Sequence, residues 1–341
     1  MTSSRFYHIP SDGIFYPVRS GEEAVLNLKK GGYIWIDLYN PTKEILNEYI
    51  STLGIQPLSV EDCLDTSQVP KIEQFTGNTF FIFNSVKYLD KTLYLDEVDF
   101  FLGKNFLITV SGVNSDSREP FAGLESYIEK DQGLAKAGPA FLMHLLLDYI
   151  VDQKFPVFDL KEDELEEYED AVIDDPASFK PGKLINMRKD LASLRRSLYH
   201  EREILIKICR RDCPFISDAE IIHFRDIYDH LSKFFEMTET HRETVTSLME
   251  LYSSLLNNLM TKVSNETNIT VRRLTLITTV FMPLTLIAGI GGMSEWTMMT
   301  GGPANWKTAY PLFLLGMVVI GVINFYLIRK LGKKGVPGDE E

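Results

Sequence analysis

The stretch LTLITTVFMPLTLIAGIGGMS, residues 274–294, contains no charged residue and ends in a turn with two adjacent glycines. Its apolar part is close to the roughly 20 residues that a helix needs to cross about 30 Å of hydrocarbon. A second uncharged run, AYPLFLLGMVVIGVINFYLI, occupies residues 309–328. Helices in the core of a soluble protein are usually shorter than these runs. The two runs therefore predict two membrane-spanning helices.

Basic residues flank the two predicted spans on the sides away from the loop that joins them: Arg272, Arg273, Arg329, Lys330, Lys333 and Lys334. The joining loop contains only Glu295 and Lys307 as charged residues. The positive-inside rule then places both termini in the cytoplasm and the short loop outside. We expect a multi-pass protein of the cell membrane, in contact with the lipid bilayer.

The composition argues against several functional classes. The net charge of −13 and the pI of about 5.0 argue against a nucleic-acid binder, which would carry a basic field. The sequence lacks Walker, GxGxxG and GxSxG motifs, so we expect that the protein is not an enzyme. The histidines show no zinc-ligand spacing: they are His8, His144, His200, His223, His230 and His241.

The first 137 residues combine strand and helix patterns. Strand-like composition occurs, with turn residues in between, over residues 31–38, 78–89, 94–103 and 105–112. Helical spacing occurs over residues 41–54 and 57–65. We therefore expect an α/β cytoplasmic domain, residues 1–137, with a mixed sheet flanked by helices.

Helical patterns fill the rest of the soluble part. Residues 138–218 predict a helical segment with an acidic helix pair, and its first long pattern contains one proline, Pro156. The acidic run 159–175 is typical of a solvated helix face, and it also suits a surface that concentrates cations. A third pattern, residues 219–273, predicts a stalk helix that continues into the first span without a break. A helix over residues 219–290 would be roughly 105 Å long and must pack against others, most simply against copies of itself.

The remaining predicted boundaries follow from the spans. We assign residues 274–292 to the first transmembrane helix and residues 293–308 to an extracytoplasmic loop. Residues 309–328 form the second transmembrane helix, and residues 329–341 form a cytoplasmic basic tail.

One narrow stripe runs along the first span and the residues before it. Its members recur at alternating steps of three and four: Asn268, Val271, Leu274, Thr278, Met282, Thr285 and Gly289. Asparagine, threonine and glycine suit a tight helix interface, and they equally suit the lining of a narrow pore. The pattern alone leaves both interpretations open.

The segment FMPLTLIAGIGGMS resembles the signature of the CorA family of magnesium and cobalt transporters. In that family, a Phe-Met-Pro-Leu-Thr run ends the first membrane helix and a Gly-Met-Asn turn follows. Three further segments are similar to the family in the same order: residues 53–73, 224–230 and 309–311. The sequence departs from the signature at Ser294, where the family has asparagine, and at Gly291, where it has an aromatic residue.

The resemblance implies a funnel-shaped homopentamer that transports divalent cations, namely Mg²⁺ with Co²⁺ or Ni²⁺, through a central pore lined by the stripe. The implied selectivity turn is Gly291, Gly292, Met293 and Ser294, whose oxygens would bind the water shell of Mg²⁺. Glu295 would attract cations at the outer mouth. Leu274 and Met282, with Val271, would form a hydrophobic gate.

The resemblance also implies a regulatory Mg²⁺ site between neighbouring protomers, which would hold the pore closed. The matching residues are Asp90 in the α/β domain and Asp226 in the stalk, with Glu250 as a third.

Two alternatives stand beside the function of a magnesium transporter. The chain could be a zinc transporter of the same fold, or a transport-inactive, membrane-anchored cation sensor or scaffold.

Overall fold

The computed structural model describes residues 3–65, 68–113, 120, 121, 124, 128, 135–292, 298 and 301–333. The chain divides into two compact units, one up to Tyr252 and one from Ser253 onwards. The first unit contains the sheet and most of the helices. The second unit contains the two long uncharged runs, residues 274–294 and 309–328.

The first unit is built on a seven-stranded sheet in the order β2-β1-β3-β7-β6-β5-β4. The strands are β1 (Ser3–Ile9), β2 (Tyr16–Val18), β3 (Tyr33–Tyr39), β4 (Ile72–Gln74), β5 (Asn78–Leu89), β6 (Thr92–Gly103) and β7 (Phe106–Ser111). Strands β3 and β7 pair in parallel, and the other neighbours pair antiparallel. The predicted mixed sheet is therefore confirmed, and its four predicted strands correspond to β3, β5, β6 and β7.

Helices cover the sheet on both faces. Along β3, the alternate residues Ile34, Ile36 and Leu38 join one core cluster with helices α1 (Gly21–Asn27), α2 (Lys43–Leu53) and α3 (Pro57–Leu64). Trp35 points to the other face, where its ring lies 6.5 Å from that of Phe121. Helix α4 (Pro139–Asp152) contacts β6 and β7. The two-residue period of a strand thus buries apolar side chains on both faces.

The helical pattern that follows residue 138 is two helices instead of one. Helix α4 ends at Asp152, and α5 (Lys154–Asp174) begins after a single turn residue, Gln153. Pro156 is the third residue of α5, in the first turn, where a backbone N–H has no partner within the helix. The proline therefore marks the start of a helix, and the long helical pattern is divided into two helices at Gln153.

Helix α6 (Gly182–Cys209) pairs with α5 through two buried lysines. Lys154 Nζ lies 3.3 Å from the carboxylate of Glu201 and donates to the Asn84 carbonyl at 2.7 Å. Lys161 Nζ lies 2.6 Å from the Asp190 carboxylate. Each buried charge has a partner, as it must to offset its desolvation. Of the ten acidic residues in the run 159–175, only Glu164 is buried.

Helix α7 (Ile221–Gly291) is continuous, and it starts close to the predicted start of the stalk. Its buried residues in the first unit recur every three or four positions: Phe224, Ile227, Leu231, Phe234, Thr238, His241, Val245 and Leu248. The Phe234 ring stacks on that of Phe158 in α5, with centroids 4.9 Å apart. These eight residues pack this part of α7 into the core of the first unit.

The second unit contains the rest of α7 and helix α8 (Trp306–Lys333). Among the described residues, α7 and residues 306–326 of α8 are the two helices long and apolar enough to cross a membrane. The most apolar stretch of each is unburied within the protomer. Such exposure suits contact with lipid or with other copies of the chain.

Candidate ion pathway and cation-binding residues

The predicted stripe lies on one exposed face of α7. All seven of its residues are exposed in the protomer, including Leu274 at 63% and Met282 at 67%. In a helix, each residue turns the direction of the side chain by about 100°. The stripe residues therefore share a sector of the helix surface, as the sequence spacing predicted.

The face of α7 that contacts α8 lies opposite the stripe. Its half-buried residues include Val280, Leu284, Ile287 and Gly291. Each lies two positions from a stripe residue, which corresponds to about 200° around the helix. The helix pair within one protomer therefore uses the opposite face, and it leaves the stripe uncovered.

Small residues bring α7 and α8 close together. A Cβ built on Gly321 of α8 would lie 3.6 Å from Leu284 Cδ1, in ordinary contact. A Cβ built on Gly291 would lie only 2.6 Å from Cζ of Phe313. Such contacts at glycine are typical of helices that pack in lipid.

The stripe offers hydrogen-bond acceptors. The Thr278 hydroxyl donates to the Leu274 carbonyl at 2.9 Å, and the Thr285 hydroxyl donates to the Phe281 carbonyl at 2.8 Å. Because each hydroxyl hydrogen is used within the helix, the oxygen lone pairs point outward as acceptors. Eight residues between Ile277 and Ile290 line an open groove on this side, and four of them belong to the stripe: Thr278, Met282, Thr285 and Gly289. Water molecules bound to a cation direct their hydrogens outward and need such acceptors.

The predicted selectivity turn is described only in part. Helix α7 ends at Gly291, and the Gly292 N–H donates to the Ala288 carbonyl at 3.0 Å. Met293, Ser294 and Glu295 lie outside the described residues. The roles of the turn and of Glu295 stay predictions.

The three predicted regulatory carboxylates are all exposed. Asp90 occupies the two-residue turn between β5 and β6, and both Asp90 (φ 49°) and Lys91 (φ 59°) are left-handed. This geometry is that of a type I′ turn, so Asp90 lies at the tip of a hairpin. Asp226 lies in the second turn of α7, and Glu250 lies nearly seven turns further along. Their role in metal binding stays a prediction.

Among the described residues, one group of three side chains could share a metal ion within a protomer, and the sequence reasoning missed it. Asp148 and Asp152 on α4 lie one turn apart, and their ligand atoms and that of His230 on α7 are all within 4.8 Å of one another. Burial raises the pKa of Asp148, the charges of Asp152 and Asp226 raise it further, and His230 opposes them. The spacing of the two aspartates, one turn apart on α4, is visible in the sequence, but it gives no indication of His230, which lies 78 residues after Asp152.

The chain is similar in sequence to known metal-ion transport proteins over most of its length. The family model described as "CorA-like Mg2+ transporter protein" matches residues 30–330. The cobalt/magnesium transport protein CorA of Thermotoga maritima is 32% identical over 281 residues, which cover 81% of this chain and 76% of that protein. The zinc transport protein ZntB of Pectobacterium carotovorum is 20% identical, over 95% of this chain and 94% of that protein.

A solved structure shares the fold. The complete structure of the CorA magnesium transporter from Methanocaldococcus jannaschii superimposes with a TM-score of 0.68 at 25% identity, covering 96% of this chain and 97% of that one. The resemblance seen in the sequence is thus confirmed. With its two membrane-capable helices, the chain belongs to the CorA-like Mg2+ transporter family and is a membrane transporter of divalent cations, not an enzyme.

Proposed function

We propose that five copies of the chain form a channel-like pathway for Mg²⁺, and also for Co²⁺ and Ni²⁺, along the axis of a homopentamer. The observation that carries this proposal is the position of the stripe on α7. It is exposed, it lies opposite the face that contacts α8, and its threonines present acceptors. Five such faces around one axis would enclose a narrow path for a hydrated ion.

The proposed path works without removing the water shell of the ion. Mg²⁺ gives up its water reluctantly, so acceptors that bind those waters cost less than direct ligands. Thr278 and Thr285 supply side-chain acceptors, and the turn from Gly291 to Ser294 supplies further oxygens at the end of the helix. Glu295 raises the local concentration of cations at the outer mouth. Both termini lie in the cytoplasm.

The proposed gate consists of apolar rings on the same face. Leu274 and Met282, with Val271, would each appear five times around the axis. A ring of large apolar side chains excludes water from a narrow path, and a dry constriction is a high barrier to a hydrated divalent ion. The gate would be closed in the symmetric pentamer.

We infer that Mg²⁺ in the cytoplasm regulates this gate. Asp90 at its hairpin tip and Asp226 on the next protomer, with Glu250, would hold Mg²⁺ between protomers and keep the ring closed. When Mg²⁺ is lost, the unpaired carboxylates would repel and open the path. This feedback requires that Mg²⁺ binds the closed state more tightly than the open one. His230 lies one turn after Asp226 on α7, and the charge of Asp226 acts on Asp148, so the group of Asp148, Asp152 and His230 would add to this cation-binding surface.

A zinc transporter of the same fold is the second candidate. The similarity to ZntB over nearly the whole chain favours it. A transport-inactive cation sensor is the third, because Ser294 replaces the asparagine of the family signature. Flux separates the three: the purified protein in liposomes is offered Mg²⁺, Co²⁺, Ni²⁺ and Zn²⁺ separately. Mg²⁺ uptake supports the proposal, uptake of Zn²⁺ alone supports the second, and no uptake supports the third.

A matched pair of variants tests the pathway itself. Thr278→Val removes an acceptor from the stripe and keeps the shape of the side chain. Thr279→Val is the control, because Thr279 lies about 100° away around the helix and its hydroxyl also bonds within the helix. We expect that Thr278→Val lowers Mg²⁺ flux several-fold and that Thr279→Val does not. Equal flux in both variants would place the pathway elsewhere.

A further inference from the structure

Two histidine rings lie side by side where α4 meets α7. His144 belongs to α4, and His223 is the third residue of α7. Their ring centroids are 5.1 Å apart, and the ring planes are inclined by 35°. The His144 side chain is buried, and that of His223 is half-buried. The two are 79 residues apart in the chain, so no spacing motif relates them.

Aromatic neighbours hold this pair in place. The Phe141 ring lies 5.4 Å from that of His144 and 5.0 Å from that of His223. The Phe224 ring lies 5.8 Å from that of His144. Packing of this kind fixes both imidazoles before any ion binds, and a preorganised pair loses less entropy on binding.

One nitrogen of the pair is left without a partner. His144 Nδ1 is buried, and no hydrogen-bond partner for it exists among the described residues. A buried polar atom without a partner lowers the stability of the fold. Such an atom in a native structure is often explained by an unseen water or ion.

The separation of the rings suits a shared metal ion. A transition metal lies about 2.0–2.1 Å from an imidazole nitrogen, and thus about 3.2 Å from the ring centre. At a tetrahedral angle, two such rings have centres about 5.2 Å apart. The observed distance of 5.1 Å agrees with this value. Simple aromatic packing allows the same distance, but it leaves the buried Nδ1 without a partner.

The electrostatic surroundings also favour a cation. The negative charge of Asp226 acts on the His144 ring. Asp148 and Asp152 follow His144 along the same face of α4, at steps of four residues. The pair therefore lies in a negative field.

We propose that His144 and His223 bind one transition-metal ion of the Co²⁺, Ni²⁺ and Zn²⁺ group, with water in the remaining positions. Imidazole prefers these ions, whereas Mg²⁺ prefers oxygen ligands. The site is distinct from the group formed by Asp148, Asp152 and His230. It does not depend on the proposed pathway, because it concerns binding and not flux.

The test is a Co²⁺ titration of the full-length protein in detergent, with Mg²⁺ in excess to occupy oxygen-rich sites. The visible absorption of Co²⁺ reports nitrogen ligands and their geometry. The variants His144→Phe and His223→Phe each remove a ligand and retain a ring that can pack. We expect that each lowers Co²⁺ affinity at least about tenfold. His200→Phe, on α6, is the matched control and should leave the affinity unchanged.

A second arm separates the two neighbouring groups. Asp148→Asn removes a carboxylate from the acidic group and should leave the Co²⁺ absorption intact. Loss of that absorption in Asp148→Asn, or unchanged Co²⁺ affinity in His223→Phe, would overturn the proposal. His223 lies in the first turn of a helix and is only half-buried, so its variant decides the question if His144→Phe does not fold. Circular dichroism and elution volume verify the fold of each variant.

Discussion

At Gly291, the absence of a Cβ lets the Phe313 ring of α8 lie against the backbone of α7. An aromatic residue, as in the family signature, would collide with Phe313 in its present position, because even a Cβ would lie 2.6 Å from the ring. Gly291 and Phe313 are thus a matched pair in this chain. The sequence showed the departure at Gly291, but it could not show the compensating residue on the other helix.

We expect that Gly291→Ala lowers the thermal stability of the protein in detergent, by on the order of 1–3 kcal/mol, because it overpacks the contact with Phe313. Combining it with Phe313→Leu should restore most of the loss in a double-mutant cycle. Gly316→Ala is the control, since a Cβ there meets nothing within 4 Å. Equal stability of Gly291→Ala and the wild type would show that the ring moves freely.

A second prediction at this scale concerns Leu274 in the proposed gate. Leu274→Ser should allow Mg²⁺ to leak through protein in liposomes, even at Mg²⁺ concentrations that close the wild type, because a polar ring keeps the constriction wet. Leu276→Ser is the control, because Leu276 points about 200° away around the helix. If the flux of Leu274→Ser stays as tightly regulated as that of the wild type, another residue forms the gate.

Among the elements, strand β6 carries a pair of carboxyl groups inside the first unit. Glu97 and Asp99 share one face of the strand, and Asp99 is 2% exposed. Burial raises the pKa of both groups, and their mutual repulsion adds to the effect for Glu97. The negative charge of Asp62 raises the pKa of both groups, and that of Asp65 raises the pKa of Glu97. The hydrogen bond with Cys63 and the positive charge of Lys71 lower the pKa of Asp99.

The pair makes stability depend on pH. A carboxyl group whose pKa is raised on folding stabilises the fold below its ordinary pKa of about 4, and this contribution is lost as pH rises through the folded value. We therefore expect that the protein loses on the order of 2 kcal/mol of stability between pH 6 and pH 9, measured by thermal unfolding in detergent. Asp99→Asn should flatten this dependence, whereas Asp96→Asn, on the opposite face of β6, should not. A pH profile unchanged in Asp99→Asn would contradict the assignment.

The long elements were predictable, and the short ones were not. Strands β5 and β6 alternate or concentrate aromatic and β-branched residues over 12 positions each, which gives a clear signal. Strands β2 and β4 have three residues each, too few for a period to emerge. The break between α4 and α5 at Gln153 was missed because no glycine lies near it in the sequence. The one signal of the break was Pro156, which lies in the first turn of α5.

For the whole molecule, the candidate sites also divide into those that the sequence could predict and those that it could not. The stripe on α7 is local in sequence, so its common face was predictable from spacing alone. The group of Asp148, Asp152 and His230 and the pair of His144 and His223 join residues nearly 80 positions apart. Only the packing of α4 against α7 brings them together. A single sequence contains no distance information on such a contact.

The proposed regulation is a property of the assembly. Mg²⁺ should protect the first unit of the wild type from proteolysis. The double variant Asp90→Asn, Asp226→Asn should need at least about tenfold more Mg²⁺ for half protection, as expected for a coupling of 1–3 kcal/mol. The matched control is Glu166→Gln, Glu169→Gln, which neutralises two exposed carboxylates on α5. Protection at the same Mg²⁺ concentration in all three proteins would place the regulatory site elsewhere.

The threonine hydroxyls of α7, which donate to carbonyls of their own helix, have a consequence for what the proposed pathway can sense. From Asn268 to Gly289 the stripe contains no ionisable side chain. Its preference for cations over anions would therefore come from the orientation of dipoles alone. Such a lining has no titration curve, and no fixed charge for salt to screen. Protons and ionic strength could change conduction only by acting on other parts of the chain, so the discrimination of charge sign and the response to cell chemistry can evolve independently.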